Sequence, residues 1–90
     1  MLNIDLSKQA ADFLKTRPPK HQRQLAAKLQ SLRENPEPAD SKMLKGVHHQ
    51  YRRTDAGEYR VVYRVAYDCL VVHIIGKRND DDVYRRLANK

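Results

Sequence analysis

Ninety residues, of which 40% are hydrophobic and 32% charged, describe one small globular domain, spanning residues 1–90, with a thin core and a heavily charged exterior. That balance excludes a disordered chain, and the longest apolar stretch, Leu70 to Ile75 interrupted by His73, is far too short to span a bilayer. A formal charge of +7, spread over both halves, points to acidic partners such as RNA, DNA or an acidic protein segment rather than to a membrane.

The N-terminus has neither a basic n-region nor a long apolar core, and the single cysteine, Cys69, has no internal partner for a disulfide. Both features are expected of a protein of the reducing cytoplasm. Residues 2–5 read as a short strand. Ser7 is placed as an N-cap, with Leu6 and Ala11 as a weak staple, and Ala10, Phe13 and Leu14 follow at helical spacing. Pro18-Pro19 ends this helix, and Pro19 opens a second at its first position. The second helix runs to about Glu34, with Leu25, Leu29 and Leu32 as its buried stripe, and Asn35-Pro36-Glu37-Pro38 stops it.

The period then changes. Gln50 to Thr54 reads as a strand, Asp55-Ala56-Gly57-Glu58 as a turn, and Tyr59 to Val65 as a β-branched and aromatic strand. Tyr67-Asp68 makes a second turn. Leu70 to Ile75, apolar on both faces, reads as a central strand ended by Gly76. Asn79 or Asp80 would cap a last helix holding Val83, Tyr84 and Leu87. The order β-α-α-β-β-β-α predicts an α+β fold in which a helical hairpin covers one face of a small, mainly antiparallel sheet.

Strand alternation places Tyr59, Val61, Tyr63 and Val65 on the helix side and Arg60, Val62 and Arg64 on the other, where Arg52 could join them. Guanidiniums converging on one sheet face form a phosphate clamp or, more plainly, a solvated basic face. Lys77 and Arg78 place two further cations at the end of the last strand, just before a helix N-terminus. The run Asp80–Asp82 reads as helix-start charge and not as a metal site, since three consecutive turn positions do not converge on one ion. Of the four histidines, His48 and His49 are better placed for acid/base work than His21, on a charged helix face, or His73, within a strand.

Leu44-Lys45-Gly46, Tyr51-Arg52, Gly57-Glu58-Tyr59-Arg60-Val61-Val62-Tyr63, Gly76-Lys77-Arg78 and Val83-Tyr84 together resemble the RelE family of bacterial toxins, within the RelE/ParE superfamily. The resemblance covers essentially the whole chain. It implies a RelE-like fold and a ribosome-dependent endoribonuclease that cuts mRNA in the decoding site, inhibits translation, uses no metal or other cofactor, and is held inactive by an antitoxin, here expected to be acidic. The residues matching the family's catalytic set are Arg52, Arg60, Arg78 and Tyr84. The family's second strand lysine falls on Thr54. Arg53 is the nearest basic substitute, although adjacent strand residues face opposite ways unless a bulge re-registers them. Lys45, Arg53, Arg64 and Lys77 are the further cations expected to touch RNA. Two other readings stand beside this one. A ParE-like gyrase inhibitor would not need the Lys77-Arg78…Tyr84 set, and a non-catalytic binding module would tolerate Thr54.

Overall fold

The computed structural model describes residues 1–44 and 50–78. The expected C-terminal helix lies outside them. The elements are β1 (Asn3–Leu6), α1 (Lys8–Lys15), α2 (Pro19–Glu34), β2 (Lys42–Met43), β3 (Arg52–Ala56), β4 (Tyr59–Ala66) and β5 (Cys69–Lys77). The strands form one sheet in the order β1-β5-β4-β3-β2. The first pair is parallel and the others antiparallel, so the chain has the α+β architecture its element order implies.

Ser7 does cap α1, accepting the Ala10 N–H at 3.0 Å, and its own hydroxyl donates to the His73 carbonyl at 2.6 Å. One side chain thus starts the helix and ties it to β5. Gln9 continues the tie. Its amide accepts from Ile75 N–H at 3.1 Å and donates to Ile75 O at 2.9 Å, as a strand neighbour would. β1 pairs only with Cys69 to Val72, so Gln9 occupies main-chain positions on β5 beyond the reach of β1. α2 begins with Pro19 at its first turn, where a missing N–H costs nothing, and ends at Asn35.

The main core lies between the helices and one sheet face. Ala10, Leu25, Leu29 and Leu32 pack on Tyr59, Val61, Tyr63, Leu70, Val72 and Ile75. Shortening one of these leucines to alanine would cost about 2–5 kcal/mol. Val65, assigned by alternation to the same face, is 43% exposed. The expected buried stripe on this strand stops at Tyr63.

The strands differ in detail from the sequence expectation. β3 is displaced toward its turn, because Ala56 pairs with Tyr59 and leaves a two-residue hairpin of Gly57 and Glu58. Gly57 has φ +62°, a value suited to glycine. β5 runs through Gly76 to Lys77. The short edge strand β2, for which the sequence reading has no element, adds two residues opposite Arg52 and Arg53. No helix among the described residues is long and apolar enough to cross a membrane.

Candidate nucleic-acid interface

Register decides which cations share a face. Residues paired across an antiparallel ladder project to the same side. Arg52 pairs with Tyr63, Arg53 with Val62, and Asp55 with Arg60. Tyr63 belongs to the helix-side core, whereas Val62 packs with Ile74, Leu44 and Tyr51 in a second cluster on the face that no helix among the described residues covers, the open face. Arg53, Arg60 and Arg64 therefore stand on the open face. Arg52 does not, which corrects the expectation that it would join Arg60 and Arg64. The cause is the even length of the hairpin loop: it pairs Arg52 with an odd-numbered, helix-side residue of β4, and only a loop of odd length would turn Arg52 to the other face.

On its own side Arg52 is tethered. Its Nε and Nη2 donate to Ser41 Oγ at 3.2 and 3.1 Å, and Nη1 donates to Glu37 Oε1 at 3.2 Å. It lines a groove of about 320 Å³ with Pro36, Glu37, Met43, Gln50 and Val65. Thr54, where the family's second lysine falls, is buried on this side, and its hydroxyl donates to Asp40 Oδ2 at 3.2 Å. Asp40 also receives Lys28 Nζ at 2.7 Å. That hydrogen bond is the main reason the Asp40 carboxyl titrates below the ordinary carboxylate range.

On the open face, Arg60 Nε donates to Asp55 Oδ1 at 2.9 Å. A carboxylate beside the guanidinium holds it in place and partly neutralises it, so an incoming phosphate must compete for the same donor. Gly76 stands opposite Arg60 and adds no side chain to the row. Arg78 N–H donates to Glu58 O at 3.0 Å, two ladder steps from the Arg60 row, about 7 Å along the strands. Lys77 and Arg78 are exposed. Arg64 Nε donates to His73 Nε2 at 3.2 Å. Lys45 and Tyr84 lie outside the described residues, as do His48, His49 and Asp80–Asp82. The structure thus groups Arg53, Arg60 and Arg64 and sets Arg52 apart.

One contact on this face, between Tyr51 and His73, carried no sequence signal. Between Val62 and Tyr63 the β4–β5 register shifts, from Ile74 to Val72, and His73 is the extra residue. This bulge breaks the alternation of β5 and puts His73 against Tyr51, ring centroids 4.5 Å apart and planes at 89°. Tyr51 shares the face of Arg53 by alternation, but the place of His73 does not follow from a period-2 reading. His21 is also a packing residue: its Nδ1 lies 2.7 Å from the Tyr59 hydroxyl, and the rings meet edge to face.

A family model described as the ParE toxin of type II toxin–antitoxin systems, parDE, matches residues 4–81. Among curated proteins, none matches by sequence. Solved structures with the same fold include the isolated RelE toxin of E. coli, at 22% identity and TM-score 0.74, over 99% of this chain and 97% of that one. The archaeal RelE–RelB complex of Pyrococcus horikoshii aligns at 24% identity and TM-score 0.73, over 86% and 94%. The toxin–antitoxin complex RelBE2 of Mycobacterium tuberculosis aligns at 22% and 0.68, over 86% and 98%.

Proposed function

The chain belongs to the ParE toxin family of type II toxin–antitoxin systems, within the RelE/ParE superfamily, and from that premise we propose that it is a ribosome-dependent endoribonuclease that cleaves mRNA and is restrained by a cognate antitoxin. The observation that carries this reading is the cationic open face: Arg53, Arg60 and Arg64 project from it, and Arg78 follows the adjoining strand end.

The chemistry needs no metal. The RNA 2′-OH attacks the adjacent phosphorus, forming the 2′-oxygen–phosphorus bond and breaking the bond to the 5′-oxygen. One group accepts the 2′ proton, cations hold the charge of the pentacoordinate state, and the leaving oxygen takes a proton. Arg60 and Arg78 stabilise that charge. Arg53, on the face Arg52 does not share, clamps the scissile phosphate in place of Arg52, which the resemblance puts in the catalytic set. Tyr84 is given the part of orienting the 2′-OH or taking its proton. An ordinary tyrosine titrates near pH 10, so the isolated enzyme is slow and the ribosome supplies orientation of the substrate. Lys45, Lys77 and Arg64 are the further cations for the RNA backbone. The partners are mRNA on the ribosome and an acidic antitoxin segment that folds on the toxin, and the site of action is the cytoplasm.

Primer extension on translated mRNA after brief induction tests the proposal. New, codon-phased 5′ ends are expected, and their absence would sink it. The family model favours a second reading, inhibition of gyrase. In that case cells show DNA damage before translation falls.

A further inference from the structure

The open face holds an aromatic pair that the cleavage chemistry above does not use. His73 reaches it through the bulge, and bulges commonly re-aim a side chain beside a functional site. Tyr51 is seated on Val62 and Ile74, which fixes its position on the same face as Arg53. The two rings meet at 89°, and both are half-buried. Arg64 Nε donates to His73 Nε2. That nitrogen is therefore the acceptor, and the ring proton of the neutral imidazole sits on Nδ1. The hydrogen bond sets the tilt of the imidazole, and Tyr51 sets it again by its edge contact. Arg64 has further guanidinium donors besides Nε.

A braced ring beside a guanidinium is what single-stranded nucleic acid requires of a protein: a π-face for a base and a fork for its phosphate. Arg64 is four residues from Arg60 on β4, about 13 Å along the strand, a span of a few nucleotides. We infer that Tyr51, Arg64 and His73 form a subsite for one nucleobase and its phosphate, on a nucleotide flanking the one cut at Arg60. The inference deepens the RNA-cleaving reading and rests on it. The subsite gives the open face a preference for RNA with bases over bare phosphodiester backbone.

The test uses the full chain, a short fluorescent uridine oligoribonucleotide, and an abasic oligomer of equal length. By anisotropy the base-bearing oligomer should bind about fivefold or more tightly than the abasic one, the contribution of one stacked base. Because Tyr51 also packs on Val62 and Ile74, His73→Ala is the primary variant. It should remove the preference while leaving abasic binding unchanged. Arg60→Ala should weaken both oligomers alike. On the unaltered chain, the His73 imidazole proton resonance should shift with the base-bearing oligomer and stay put with the abasic one. Equal binding of the two oligomers, or a preference that survives His73→Ala, overturns the subsite. Base preference without codon-phased cleavage of translated mRNA leaves the subsite standing and removes the nuclease. Cleavage without base preference does the reverse.

Discussion

Arg52 and Tyr63 stand directly opposite each other across the β3–β4 ladder. Tyr63 is fully buried beneath the helices, and its hydroxyl donates to Pro36 O at 2.6 Å. Arg52 bonds to Ser41 and Glu37 in the same loop. The two residues therefore fasten the segment after α2 onto the sheet from one side, while Arg53 turns its charge to the other. Two adjacent arginines have opposite duties because one ladder position separates them.

Substituting them one at a time should separate those duties. Arg53→Ala should weaken RNA binding and lower the slope of log affinity against log salt by about 0.7, the value of one phosphate contact on a single strand. Arg52→Ala should leave that slope unchanged and lower stability by about 1 kcal/mol through its lost hydrogen bonds. Salt titrations paired with urea denaturation read both. Equal slopes for the two variants would contradict the face assignment.

Arg60 and Asp55 offer a second test. Arg60→Ala combined with Arg78→Ala should slow cleavage by about 10²-fold or more if these cations hold transition-state charge. It should also relieve growth arrest on expression. Asp55→Asn removes the carboxylate that competes for Arg60. It should tighten RNA binding at a stability cost of about 1 kcal/mol or less. A double variant as toxic as the parent would show the site to be misplaced.

Gly57→Ala should destabilise the protein by about 1 kcal/mol or more, because the residue sits at φ +62°, where a side chain is strained. A Cβ there would also meet the Gln24 amide, but that is the end of an exposed, flexible side chain and can swing aside. Adding Gln24→Ala should therefore recover little of the loss. Thermal melts of the single and double variants measure it, and full recovery in the double variant would mean that backbone strain contributes nothing.

Burial raises the Tyr63 phenol above its ordinary value. The folded state therefore holds the proton more tightly than the unfolded chain. The associated stability is complete below about pH 10, the unfolded value, and is lost as pH rises from there through the higher folded pKa. Tyr63→Phe should cost about 1 kcal/mol at neutral pH, since Pro36 O loses its donor. It should also flatten the alkaline limb of the stability curve. Urea midpoints collected across the alkaline range decide it, and an unchanged limb would mean another group controls it.

Local chemistry made much of this chain legible. Ser7 as a cap, Pro19 at the start of α2, the leucine stripe of α2 and the strand from Tyr59 all follow from propensity and periodicity acting within a few residues. The motif residues pointed to the superfamily, and the family model matches residues 4–81. The facing of the arginines is a matter of pairing parity: it depends on whether the β3–β4 loop holds an even or an odd number of residues, which neither strand shows alone. The bulge at His73 was equally hidden. An extra residue in one strand is defined only by its partner, so Tyr51 and His73, 22 positions apart in the sequence, become neighbours only once β3, β4 and β5 are laid side by side. The sequence by itself determined the elements and the charge they carry. The tertiary structure decided which charges and rings share a face, because register is a relation between strands.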